Sequence, residues 1–206
     1  MRFTTTSSVL AALGLASLAA ALDAVQIVQQ IAPDATSCPS PPGDCRTAAQ
    51  AAPFIARSMH AFGVGCPNEM ASVVALMAFE SVGFKYKHNV FPGRPGQGTA
   101  NMQMAKYNLL YAKAIPAVEG NVTDIASVDG LPDDRLNWIL SLVTPDEYNF
   151  GSGPWFLTTQ CGADVRAKLQ SNVDDGFQAY MQCVGVTVTD ERKAYFDRAK
   201  KAFGVV

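Results

Sequence analysis

The sequence predicts a mainly α-helical, single-domain protein, and three observations predict it. Apolar residues recur at three- and four-residue spacing along most of the chain. The best strand-like alternation is the short VGVTVT at 184–189. Once an apolar leader is set aside, about 185 residues remain, enough for one well-buried core and not comfortably for two.

The chain opens MRFTTTSSVLAALGLASLAAALDA. Arg2 supplies a positive start, Val9 to Ala21 a short apolar run, and Ala19 and Ala21 an A-x-A-like cleavage site. This is the layout of a secretory signal peptide over 1–21, and it predicts an exported, extracellular protein. The following stretch, 22–46, becomes rich in Pro and Ser and reads as an extended arm ahead of a helical domain over 47–206.

Within that domain, Ala48, Ala51, Ile55, Met59 and Phe62 keep helical spacing until Gly63 and Gly65 stop it. CPNEMASVVALMAFESVGF follows, with Asn68 as a possible cap and an almost wholly apolar run through Phe79. A helix apolar on every face belongs at the centre of a core. Further helices are expected from about Met102 to Ala114, Asp133 to Val143, Pro154 to Gln160, Ala163 to Gln170, Val173 to Cys183 and Asp190 to Phe203. Thr144-Pro145-Asp146-Glu147 reads as a capping box with proline at the first helical position, and Thr189 as the cap of the last helix.

The five cysteines of an exported chain should mostly pair. Cys161 and Cys183 flank a helix pair and would staple the C-terminal third. Two of Cys38, Cys45 and Cys66 would pin the arm, leaving one odd thiol. No C-x-x-C occurs, and His60 and His88 are the only histidines, so neither a metal nor a cofactor is expected. Asn121-Val-Thr123 is an N-glycosylation sequon and places its loop at the surface. The formal charge of -2 supplies no basic field for nucleic acid. No later segment is apolar for long enough to be a membrane helix, so no membrane partner is expected after leader removal, and the protein is expected to be a monomer.

The glycine-rich NVFPGRPGQGTANMQM, 89–104, invites a phosphate-site reading that its residues do not support. Gly93 and Gly98 have Walker spacing, but Thr99 stands where lysine is needed. Gly96 and Gly98 begin a dinucleotide fingerprint, but Asn101 replaces its third glycine. A close-approach turn that delivers the residues after it is the better reading.

Upstream, Glu80 ends the central apolar helix beside Phe79, Val82 and Phe84. A carboxylate in such surroundings is either paired, here with Lys85 or Lys87, turned outward, or held protonated by a raised pKa. The last state suits a general acid.

Glu80-Ser81 at a helix end, followed by a loop and then Met102-Gln103, resembles the lysozyme superfamily, closest to its lytic transglycosylase and goose-type branches. The resemblance covers about residues 67–112. Asn101 stands where an apolar residue is usual, and the intervening loop is several residues longer. It implies a lysozyme-like fold in which Glu80 protonates the glycosidic oxygen of a β-1,4-linked aminosugar polysaccharide such as peptidoglycan, chitin or chitosan. Ser81 would fix the Glu80 rotamer, and Asn101 and Gln103 would bond to the sugar. Tyr86, Asn89 and Trp155 would add contacts along a groove. The alternatives are a non-catalytic glycan-binding or effector-type protein on the same fold, and a purely structural secreted protein.

Overall fold

The computed structural model describes residues 23–41 and 43–205, and the expected signal peptide lies outside them. The described chain is mainly helical and contains no β-strand, only isolated bridges. Residues 23–31 form helix α1. There follow α2 (Ala48–Ala61), α3 (Pro67–Glu80), α4 (Ala105–Lys113), a 3-10 turn (Glu119–Asn121), α5 (Asp133–Val143), α6 (Asp146–Asn149), α7 (Ser152–Thr159), α8 (Ala163–Ser171), α9 (Val173–Val184) and α10 (Asp190–Phe203).

α3 is the organising element. Residues from Ala71 to Ala78 are buried on every face, and the helix packs against α7, α8, α9 and α10. Each large aliphatic or Met side chain removed from water here contributes about 1.5–3 kcal/mol before the cost of ordering it. Pro67 occupies the first helical position, where its missing N–H costs no hydrogen bond, and Cys66 is the capping residue. Asn68, expected as a cap, instead donates its side-chain amide to the Leu169 carbonyl of α8. The buried Glu69 in the same turn is clamped by Arg166, Nε to Oε1 at 2.6 Å, and by Gln170. A charged residue in an apolar helix is thereby tolerated because α8 supplies its partners.

A second core gathers α4, α5 and α7 around Leu109, Tyr111, Ile139, Trp155 and Phe156. α7 divides the two cores, since Leu157 faces the α3 cluster while Trp155 and Phe156 face the other. The Cys161–Cys183 disulfide sits against both. A second disulfide joins Cys38 to Cys45, and Cys66 is free.

Several local expectations are corrected. The segment after the leader is not simply an extended arm. Ala24, Ile27, Val28 and Ile31 share one helical face, and Val28 and Ile31 are buried against the α3 core. That periodicity was masked by the Pro- and Ser-rich tail behind it. VGVTVT forms no strand, because α9 runs through Val184 and Gly185, at φ +84°, ends it in the left-handed conformation. Thr144 is the C-cap of α5 rather than the cap of α6, which starts after Pro145 with no side-chain cap. Thr189 does cap α10, accepting from the Arg192 N–H.

Candidate functional site

The loop from Val82 to Met104 folds against itself. Asn89 N–H donates to Gln97 O, Thr99 N–H to Lys87 O and Gly98 N–H to Gln103 O. Gly98 is required by close approach: a Cβ there would collide with the Lys87 carbonyl oxygen and reach 2.8 Å from Leu140 Cδ1. Gly96 has φ +70° and would meet Ala105 and Leu136. The glycines therefore press the loop onto α4 and α5. Four non-glycine residues around Glu80 have positive φ: Val82 (+53°), Phe84 (+64°), Thr99 (+65°) and Met102 (+47°). Such angles are costly for β-branched Val82 and Thr99 and persist only where surrounding contacts over-determine them.

This loop, the end of α3 and the segment joining α9 to α10 enclose a cleft of about 220 Å³ over Glu80. Its polar wall carries Glu80, Arg94, Gln97, Asn101 and Gln103, and its apolar wall Met102, Tyr107, Phe156, Val184 and Val186. The cleft continues past Glu80, Gln97 and Met102 into a second recess of about 360 Å³ lined by Tyr86, His88, Asn89, Val90 and Phe91.

Arg192, in the first turn of α10, donates from Nη2 to Glu80 Oε1 at 2.8 Å. Its guanidinium lies 4.6 Å from the Phe79 ring centroid, and Nη1 donates to the Thr187 carbonyl. Burial nevertheless pushes the Glu80 carboxyl above its ordinary value, and the hydrogen bond and charge of Arg192 oppose that shift without cancelling it. Glu80 is a carboxyl that keeps its proton to higher pH than an exposed one. The nearby Tyr180 hydroxyl is buried without a partner, and burial together with the Glu80 charge raises its pKa.

Behind the polar wall runs a directional chain of amides. Asn108 Nδ2 donates to two backbone carbonyls, Gly96 O at 2.8 Å and Gln103 O at 3.2 Å. Carbonyls only accept, so Asn108 must present Oδ1 to Gln103, whose Nε2 donates to it at 2.9 Å. Gln103 Oε1 then accepts from Asn101 Nδ2 at a long 3.5 Å, leaving Asn101 Oδ1 as the terminal acceptor. Gln97 is fixed in the same way: Nε2 donates to Met102 O at 3.0 Å. Asn101 Oδ1 and Gln97 Oε1 are buried with no hydrogen-bond partner, a costly state unless a donor enters.

The fold thus brings together Glu80, Tyr86, Asn89, Asn101 and Gln103 of the residues singled out in the sequence. Ser81 does not touch Glu80: its Oγ donates to Met77 O and accepts the Phe84 N–H, capping the helix end. Asn89 spends its side-chain oxygen on the Gly93 and Arg94 N–H groups. Trp155 is buried in the second core and does not line the cleft, because α7 turns it toward Tyr111. Glu80 pairs with neither Lys85 nor Lys87; Lys87 reaches Asp146 and Thr144 O instead. Asn121 is exposed at the end of the 3-10 turn. No sequence signal marks Arg192, 112 positions from Glu80, or the orphan acceptor on Gln97. A larger cleft of about 500 Å³ between α1, α2, α3 and the end of α10 is almost wholly apolar, with His60 and Asp23 among its lining.

No known family's sequence profile matches the chain, and no solved structure matches it. A protein of Fusarium oxysporum (strain Fo5176) named bifunctional dioxygenase–epoxy alcohol synthase is 57% identical over 157 residues. That match takes in 76% of this chain and 12% of the other protein, so the chain spans a small part of its relative's length. The similarity overturns the lysozyme-superfamily resemblance and with it the glycosidase, lytic transglycosylase and glycan-binding expectations. Two short words, Glu80-Ser81 and Met102-Gln103, carried that resemblance. In the fold Ser81 is a helix-end cap and Gln103 a link between Asn101 and Asn108, roles that specify no sugar.

Proposed function

We propose that this chain is a binding module for an amphipathic, hydroxyl-bearing small molecule held in the Glu80 cleft. Epoxy alcohols, the class in the relative's name, supply both parts of the fit. The observation that carries the reading is the pair of buried acceptors without donors, Asn101 Oδ1 and Gln97 Oε1, in the wall of a cleft whose other side is apolar. A hydroxyl donor satisfies such an acceptor, and an apolar tail covers Met102, Tyr107 and Phe156. Glu80, which keeps its proton above the usual range, can donate to an ether or epoxide oxygen in the same cleft.

Dioxygenase chemistry commonly uses a redox-active metal, haem or flavin, and the described residues build no multi-ligand metal site. His60 stands as the lone histidine of the apolar cleft, and His88 is exposed and engaged by Asp44. Among the described residues no three His, Cys, Asp or Glu side chains converge on a common point. We derive no oxygen-activating step from this chain and assign it the handling of an oxygenated molecule. Export is part of the proposal, supported by the leader, the two disulfides and the exposed Asn121 sequon.

The test is calorimetric titration with a long-chain epoxy alcohol and with the same chain lacking its hydroxyl. The alcohol should bind at least about tenfold tighter to the wild type, and Asn101→Leu should erase the preference. Equal binding of both compounds, or of neither, would sink the reading.

A further inference from the structure

The mouth of the cleft is built of side chains a soluble surface normally hides. Phe91 is 91% exposed, Val90 54% and Val82 50%, with Tyr86 beside them at 39%. All four line the outer recess that leads to Glu80. They stand on one loop, VGFKYKHNVFPGR at 82–94, which contains Lys85, Lys87 and Arg94 and no acidic residue, in a chain whose net charge is -2. Lys87 is consumed by Asp146. Lys85 and Arg94 are exposed and make no ion pair among the described residues.

We infer that this loop is a membrane-surface docking tip, with Phe91 and Val90 entering the acyl boundary and Lys85 and Arg94 meeting anionic headgroups. The tip is convex. A protruding Phe needs a shaped pocket to be buried by a folded partner, whereas a fluid bilayer closes around it without one. The cations flanking the apolar tip match the negative surface of an anionic leaflet, and their stems can lie along apolar surface while their heads stay wet. Docking in this pose turns the outer recess, and Glu80 beyond it, toward the lipid. The inference stands independently of what the cleft binds.

The test is co-sedimentation of the full chain with phosphatidylcholine vesicles, with and without added phosphatidylserine, at low and high salt. The wild type should bind the anionic vesicles and be released by salt. Phe91→Ser with Val90→Ser should weaken binding by about tenfold or more, from the lost apolar transfer. Lys85→Glu with Arg94→Glu should abolish the preference for phosphatidylserine. Because these side chains are exposed, an unchanged melting temperature will show the variants folded. The inference is overturned if the wild type stays in the supernatant, or if the apolar double variant binds vesicles as well as the wild type does. It is equally overturned if that variant loses only small-molecule binding, which would make the tip a ligand clamp, or only binding to a protein partner.

Discussion

Arg192 Nη2 lies 2.8 Å from Glu80 Oε1, so the first turn of α10 closes on the last residue of α3. The pair joins the two helices at the floor of the cleft, and the Glu80 carboxyl is still harder to ionise than an exposed one. A raised pKa in the fold means a stabilising contribution that is complete below the ordinary value of 4.5 and lost as pH rises through the folded value. Glu80→Gln should therefore lose less melting temperature than the wild type between about pH 4 and about pH 8. Thermal unfolding at several pH values measures it; an identical pH slope in both proteins would contradict the raised pKa.

Removing the other partner should act in the opposite sense. In Arg192→Met the burial of Glu80 is unopposed, so the variant should be destabilised by roughly 2–3 kcal/mol near pH 8 and much less near pH 4. Combining it with Glu80→Gln should recover most of the loss, since a neutral amide remains where an unpaired charge was buried. Denaturant unfolding of the four proteins in a double-mutant cycle gives the coupling directly.

The amide chain predicts that an isosteric change is harmful. Gln103→Glu cannot donate to Asn108 Oδ1, whose own orientation is locked by Gly96 O and Gln103 O. It should cost about 1–3 kcal/mol at neutral pH and be partly rescued in acid, where the new carboxyl regains a proton to donate. Urea midpoints at neutral and acidic pH distinguish this from a loss of packing, which acid would not repair.

The loop glycines separate into two kinds. Gly98→Ala places a methyl against the Lys87 carbonyl and Leu140, and should cost about 3 kcal/mol or more through backbone displacement. Gly120→Ala, with nothing near its added methyl, should change stability by less than about 0.5 kcal/mol. A melting comparison of the two variants checks both at once.

Asp146 is the anchor of the loop's far side, accepting from Arg46 Nε at 2.7 Å and from Lys87 Nζ. Burial alone would raise its pKa, but the hydrogen bonds and charges of Arg46 and Lys87 outweigh that and hold it below the ordinary range. The contribution is present above the unfolded value of 3.8 and is lost as pH falls through the depressed one. Asp146→Asn should destabilise by about 1–2 kcal/mol at neutral pH and match the wild type more closely in strong acid. Circular dichroism melts across the acid range will show whether the two proteins converge.

The helices are legible in the sequence alone, because their apolar spacing and stop signals are local. Asp133–Val143 and Asp190–Phe203 were legible to the residue, and the all-apolar run ending at Glu80 named both the central helix and its awkward carboxylate. The sequence also carried α1, in the spacing of Ala24, Ile27, Val28 and Ile31, a signal overshadowed by the prolines behind it. What surrounds Glu80 is a matter of long-range packing. Arg192 arrives from the far end of the chain, Ser81 turns back to cap its own helix, and Trp155 is drawn into the second core. Short-range motifs record backbone preference and periodicity. Which polar atom faces Glu80 is set by a contact 112 residues away, while at Asn101 and Gln97 the folded loop's own amide contacts leave two acceptors without a donor.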